Sequence, residues 1–323
     1  GNESLCSGMD AGIISNAGLP GDAGDEIQFS WQQSTDGGAN WIPIVGESGS
    51  SYDPPVLTVT TMFRRGARKS PCPDWTYTTP ITKTVIDNLT DPGSILGDET
   101  RCGSYDPGLI ISSAAVSGGS GGTIQYQWQL STDQINWSDI TGGIADIFDP
   151  PTVTLTTYYR RAARRSPCSE WIYSNIITKI VTFNYTDAGS IAGDENECVS
   201  FDPGLINSLT LPSGGAFGAQ EFIWQKSTDG GVNWADIAAS NTATYDPPFI
   251  TQSTLFRRGA RRTPCSSWVY SNSVSKTVGI YPLASMETYP IGQNGFLCEI
   301  ATYTFDAADA GTGANYFWEF GSM

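Results

Sequence analysis

The chain has 323 residues, a net charge of −16, seven cysteines and no histidine, and only 15% of its residues are charged. The missing histidine removes Ser-His-Asp and Cys-His nucleophile arrangements, the commonest general base and most catalytic zinc sites. The acidic surplus opposes binding to a polyanion, and no stretch reaches the roughly 20 apolar residues that span a bilayer.

From the first residue onward the chain repeats itself. Cys6, Cys102 and Cys198 stand 96 residues apart, and Cys72, Cys168 and Cys265 follow them at 66, 66 and 67 residues. Ser34 to Trp41 recurs at 131 to 137 and 227 to 234, Tyr52-Asp-Pro-Pro55 at 148 to 151 and 245 to 248, and Phe63 to Cys72 at 159 to 168 and 256 to 265. Solenoid repeats run roughly 20 to 50 residues, so this longer period points to whole domains, each near the size of an immunoglobulin-like sandwich. We place modules at 1–90, 91–186 and 187–282, with a partial fourth at 283–323. Gly1 to Cys6 aligns with Gly97 to Cys102 and nothing at the start looks like a signal peptide, so the chain reads as a fragment or a processed form.

Abundant Gly, Ser, Thr and aromatic residues predict short strands and turns with almost no helix. In the second module a short strand lies in Gly93 to Glu99 (its counterpart is Gly189 to Glu195), and Leu109 to Ala114 follows the Asp106-Pro-Gly108 turn. Ser117 to Gly122 is a Gly-rich loop. Ile124 to Leu130 alternates as the next strand, Asn136 to Ile140 is its short partner, and Ile147 to Leu155, Thr157 to Arg165 and Trp171 to Phe183 complete about seven. The short connections predict all-β, antiparallel sandwiches arranged as a rod.

The six periodic cysteines, Cys6, Cys72, Cys102, Cys168, Cys198 and Cys265, lack any CxxC spacing and read as disulfides in an oxidising, extracellular setting. Their equal spans favour one bond per module, worth roughly 4 kcal/mol each in the chain-entropy model, with staggered pairing between neighbours left open. Cys298 reads as one more opening cysteine, with its partner beyond Met323.

Trp31, Trp128 and Trp224, mid-strand, are core anchors. Trp41, Trp137 and Trp234, just past a tight turn, are candidate ligand-stacking platforms for sugars. The turn itself, Ser34 to Trp41, fits the SxDxGxxW pattern of Asp-box hairpins, in which the Asp stabilises its own loop; Ser131 to Trp137 is one residue short. Arg64, Arg65, Arg68 and Lys69 recur as Arg160, Arg161, Arg164 and Arg165, and as Arg257, Arg258, Arg261 and Arg262. Alternation puts Arg64 and Arg68 on one face and Arg65 on the other, to cover tryptophan faces and take carboxylates from Asp53, Asp149 and Asp246 or from acidic linkers of neighbouring modules. Acidic clusters at Asp22 to Glu26, Asp98-Glu99 and Asp194 to Glu197 read as solvated junctions, with calcium as the candidate ligand and no other cofactor. Asn88-Leu-Thr90 and Asn184-Tyr-Thr186 match the glycosylation sequon. No GxGxxG or GxxxxGK[ST] phosphate loop is present.

The ordered succession of Tyr126-Gln-Trp-Gln129, Ser227 to Trp234, the Tyr245-Asp-Pro-Pro248 turn, Thr156 to Arg161 and Trp171 to Asn175 resembles the tandem Ig-like repeats of giant Bacteroidota surface adhesins, over residues 1 to about 282. Ile300 to Phe305 and Tyr316 to Gly321 look like the opening half of a PKD-type domain. The resemblance implies a long protein exported by the type IX route and displayed at the cell surface, serving adhesion, gliding or filament formation, with no catalytic residues. Its implied partners are neighbouring modules, surface polysaccharide and further copies in a filament, with no nucleic acid and no membrane span. An alternative is an accessory glycan-binding array of a secreted polysaccharide-degrading enzyme.

Overall fold

The computed structural model describes residues 1–15, 17–18 and 26–279. The expected fourth module, Cys298 and Asp22 to Asp25 lie outside the described residues. Two compact units are present, Gly1–Val181 with the first two repeats and Thr182–Met323 with the third. Among the described residues there is no helix, and none long and apolar enough to cross a membrane.

In each repeat the main sheet grows around one antiparallel pair. Ile27–Ser34 pairs with Thr61–Lys69, Thr123–Ser131 with Thr157–Ser166, and Gln220–Ser227 with Thr254–Arg262. Period-two alternation turns Trp31, Trp128 and Trp224 inward, where they are 3%, 0% and 0% exposed. Each indole meets an aromatic from the Tyr/Phe-Asp-Pro-Pro turn and one from the paired strand: Trp31–Tyr52–Phe63, Trp128–Phe148–Tyr159 and Trp224–Tyr245–Phe256, at centroid separations of 5.4–5.8 Å. Every indole N–H donates to a carbonyl, that of Gly49, Ala145 or Thr242, so these side chains are buried without leaving a donor unsatisfied. This core is the sandwich filling that the mid-strand tryptophans predicted.

Two features differ from the expected antiparallel sandwich. At one edge of the main sheet the opening strand runs parallel to the last: Glu3–Cys6 beside Ile81–Ile86, and Glu195–Glu197 beside Val269–Val278. The second layer is thin, since Ile147 to Leu155 is not a strand but two isolated bridges, Ile110 with Phe148 and Tyr105 with Val153. Between those bridges lie Pro150 and Pro151, which have no N–H to give a ladder. Ser94–Leu96 completes that layer by pairing with Ile111–Ala114. Trp171 to Phe183 is likewise divided, into Ile172–Tyr173 and Ile177–Thr182, both on Thr157–Ser166.

Candidate functional site: the module junction

Cys6 ends the opening strand of the first repeat, and its sulfur is bonded to Cys168 in the second, 162 residues away, with a Cα separation of 4.8 Å. The expected closure of Cys6 onto Cys72 is thereby corrected: the bond is the staggered one, and Cys72 is an exposed free thiol. Cys102, Cys198 and Cys265 are also disulfide-bonded. The cause lies in the parallel edge strand, which carries Cys6 to the end of the module where Ile86 leaves the sheet. There Ser7 N–H donates to Ile86 O at 2.8 Å, and the Cys168 sulfur lies 3.7 Å from the same carbonyl. The partner comes from the hairpin of the next module that lies against that end.

Asn88, two residues past Ile86, bridges that hairpin. Its Nδ2 donates to Glu170 O at 2.8 Å and its Oδ1 accepts from Arg165 N at 2.9 Å, so one side chain occupies both arms of the loop that carries Cys168. Asn184 repeats the arrangement on Ser267 O (2.7 Å) and Arg262 N (2.9 Å). Both asparagines were sequon residues, yet their amide nitrogens are spent on backbone carbonyls. A glycan on either nitrogen would replace one of its two hydrogens, leaving a single N–H for that clamp.

The Gly-rich loop 117–122 completes the junction. Ser117 exchanges backbone hydrogen bonds with Asp91, as Ser120 does with Asp87, and Ser120 Oγ donates to Asp87 Oδ2 at 2.9 Å. Gly119 has φ +66°, and a Cβ there would stand 2.2 Å from Asp87 O. Glycine is therefore required for close approach as well as for conformation. Gly215 meets the Phe183 carbonyl in the same way at 2.4 Å. What composition marks as a loop is a contact surface for the end of the preceding module.

The junction carboxylates hold lysines. Lys83, Lys179 and Lys276 are at most 2% exposed, and their ammonium groups meet Glu3 (2.6 Å), Glu99 (3.4 Å) and Glu195 (2.9 Å). Each ammonium also donates to a turn carbonyl, of Gly12, Gly108 or Gly204, whose own N–H donates to the same glutamate. The glutamates are held below the usual carboxylate range: Glu3 and Glu195 chiefly by the lysine hydrogen bond, Glu99 chiefly by the Gly108 N–H. Asp98 and Asp194 accept the N–H groups of Thr178 and Ser275. Among the described residues no three acidic, Cys or His side chains gather as metal ligands, so the expected calcium site has no cluster there.

The outer face of each main sheet carries the candidate sugar-stacking residues. Arg64 lies 4.2 Å from the Trp41 ring centroid and 4.1 Å from that of Tyr77; Arg160 is set between Trp137 and Tyr173, and Arg257 between Trp234 and Tyr270, all at 4.0–4.2 Å. A guanidinium thus covers one face of each of the half-buried indoles. Gln32, Gln129 and Gln225 fix the three arginines by accepting from Nε at 2.8 Å. On the inner face Arg65, Arg161 and Arg258 are 8%, 1% and 0% exposed and donate to carbonyls: Ser50 O, Asp146 O and Ala243 O respectively. The expected partners Asp53, Asp149 and Asp246 take no part in these bonds; among the described residues the inward arginines form no ion pair with a carboxylate and instead cap turns of the second layer. Beside Trp41, the hairpin works as the Asp-box pattern requires. Asp36 accepts from Ser34 Oγ and from Asn40 N and Nδ2, which lowers its pKa to about 2, the Asn40 N–H contributing most. The shortened second copy keeps the device by placing Gln134 at φ +61°.

The family described as "Domain of unknown function (DUF8696)" matches residues 1–87, 91–183 and 187–279. No curated protein matches the chain. Among solved structures, the three N-terminal domains of the highly immunogenic outer capsid protein (Hoc) of bacteriophage RB49 align at 9% identity and TM-score 0.38, covering 79% of this chain and 91% of that one. An E-to-A variant of titin domains I67–I69 aligns at 10% identity and TM-score 0.40, covering 87% and 96%, and titin A168–A170 at 12% and 0.34, covering 86% and 96%. Likeness at this level carries no argument about function. The three family matches cover each of the copies built above, and the chain belongs to the DUF8696 family, whose domain it carries three times in tandem.

Proposed function

We propose that these modules are the structural and adhesive repeat region of an extracellular bacterial surface protein or filament, with a mechanical rather than catalytic role. The observation that carries this reading is the Cys6–Cys168 bond. A bond across a junction turns two sandwiches into one covalently tied unit, so tension applied to the chain ends bypasses the 162-residue span between the cysteines. Disulfides of this kind persist outside the reducing cytosol, which supports secretion. Tandem repetition supplies reach and many identical surfaces, and weak contacts sum to avidity. Adhesion to surface polysaccharide, gliding and self-association into filaments are the roles to which the resemblance extends.

Single-molecule pulling on the full chain tests the mechanical part. Under oxidising conditions the span behind the bond stays hidden; reductant releases it, adding roughly 550 Å or more of contour length at about 3.3–3.6 Å per residue. Identical extension with and without reductant would contradict the reading. Glycan binding through Trp41, Trp137 and Trp234 is the second reading, and the covering arginines leave each indole one face at most. A glycan array with the full chain, compared against Trp137→Ala, supports it if specific binding appears and is lost on substitution.

A further inference from the structure

In each repeat the outer face of the main sheet holds one arginine whose charge meets no carboxylate among the described residues. Arg64, Arg160 and Arg257 are half-buried, each clamped between an indole and a tyrosine ring at 4.0–4.2 Å and fixed at Nε by Gln32, Gln129 or Gln225. Among the described residues their Nη groups make no hydrogen bond and no ion pair. Rings cover both faces of the guanidinium, so its in-plane Nη edge is where a ligand can reach it.

The neighbouring arginines on the same strands show what such an edge takes. Arg164 and Arg261 stack on Trp171 and Trp268 and give Nη1 to the carbonyls of Ser169 and Ser266, both at 3.3 Å; Arg261 also gives Nε to the Glu221 carboxylate at 2.7 Å. Those donors are committed within the module, and those of Arg160 and Arg257 are not. The adjoining indoles offer a ligand little else. Trp137 and Trp234 donate their N–H groups to Gln134 O and Gly231 O of their own hairpins, and an arginine covers one ring face of each.

We propose that this face binds an acidic glycan, with the carboxylate of a uronic acid residue accepting from the Nη edge of the stacked arginine. A guanidinium fork matches a carboxylate bidentately, and one already held rigid loses little freedom on binding it. The stacked tyrosine adds a hydroxyl for the sugar's own hydroxyl groups, which the acidic side chain of a peptide lacks. The net charge of −16 opposes a polyanion at a distance, but at physiological salt that repulsion fades beyond roughly 8 Å, while the fork acts in contact. Asp139 and Asp236, which accept from the amides of Gln129 and Gln225 at 2.8 and 2.7 Å, weaken the site in the second and third repeats. Gln32 faces Pro43 instead and gives its amide to the Tyr77 hydroxyl, so Arg64 is the strongest of the three. The inference rests on the glycan reading of Trp41, Trp137 and Trp234 and deepens it, moving the contact from indole to arginine.

Calorimetric titration of the full chain with oligogalacturonate, with its fully methyl-esterified form and with polyglutamate of equal charge tests this. The expected result is binding of the acid, with the neutral ester weaker by about tenfold or more and polyglutamate weaker than the acid. Arg64→Lys, Arg160→Lys and Arg257→Lys together keep the charge and lose the fork, and are expected to weaken acid binding about tenfold, Arg64→Lys alone giving the largest share. Thermal unfolding reports that variant's fold. Should it not fold, shifts of the Trp41, Trp137 and Trp234 indole N–H resonances in the unaltered chain locate the bound acid. Equal binding of acid and ester overturns the inference and leaves the glycan reading standing. Binding of neither also overturns it, and the glycan array then decides the broader reading. Polyglutamate bound as tightly as the acid assigns the face to acidic peptides and overturns the inference. So does a folded lysine variant that binds the acid unchanged, or acid binding that moves none of those resonances.

Discussion

The two ends of a module are made from the same residues and do opposite things. At one end the hairpin Ser34 to Trp41 closes on itself: Ser34, Asp36, Gly38 and Asn40 bond one another within four residues of sequence. At the other, the Gly-rich loop 117–122, Asn88 and Cys168 all bond groups contributed by a neighbouring stretch, most of them some 80 residues away or across the junction. Both ends are Gly, Ser, Asp and Asn in composition. The difference teaches that a polar loop's partner, not its content, decides whether it insulates a module or joins it to the next.

The largest effect separating the two ends is covalent. Cys6→Ser together with Cys168→Ser is expected to lower the stability of the Gly1–Val181 unit by about 5 kcal/mol in the chain-entropy model for a loop of this length, read by urea unfolding. Cys72→Ser is expected to leave the same transition unchanged.

Glycine substitutions probe the ends next. Gly119→Ala brings a Cβ within 2.2 Å of Asp87 O at φ +66°, whereas Gly37, at φ +72° in the hairpin, has nothing within 4 Å. We expect roughly 3 kcal/mol at Gly119, from backbone conformation plus collision, and about 1 kcal/mol at Gly37, from conformation alone. Equal costs in thermal unfolding would show that the junction loop has room to withdraw.

Asn88→Ala removes two hydrogen bonds and is expected to cost about 1–2 kcal/mol, with hydrogen exchange rising at Arg165 and around Ser120 rather than at the hairpin. Asp36→Ala should raise exchange only near Gly38 and Asn40. Exchange that rises at both ends in either variant would mean that they are coupled.

Acid separates them more gently. The glutamates at the lysine sites titrate below their ordinary value when folded, so the stability they contribute is present above the unfolded glutamate pKa and is lost as pH falls through the lower folded value. Thermal unfolding should therefore weaken below about pH 4.5, and Glu99→Gln should flatten that slope. Asp36 and Asp229, near pKa 2, keep the hairpins intact to lower pH.

What could be read from the chain alone follows the same division. The core tryptophans, the Asp-box turn and the stacking of guanidinium planes on tryptophan faces were legible because alternation and tight turns are local rules. The junction was not. Asn88 and Asn184 matched a sequon because three residues suffice for that pattern, while their true partners, Glu170 and Ser267, lie more than 80 residues on. Equal cysteine spans suggested closure within a module, and only the parallel edge strand, which no composition announces, sends Cys6 toward Cys168 instead. Glu99 and Glu195 looked like solvated acid because the lysines they hold, Lys179 and Lys276, stand 80 and 81 residues downstream. The prolines of Asp149-Pro-Pro151 were visible, and their missing N–H groups should have argued against a continuous strand.

The central claim is that neighbouring modules are tied across their junction rather than sealed one by one. Non-reducing peptide mapping of the oxidised full chain tests it most directly. A cross-linked pair containing Cys6 and Cys168 is the predicted result, with Cys72 recovered as the alkylated thiol. A pair containing Cys6 and Cys72 would contradict the account.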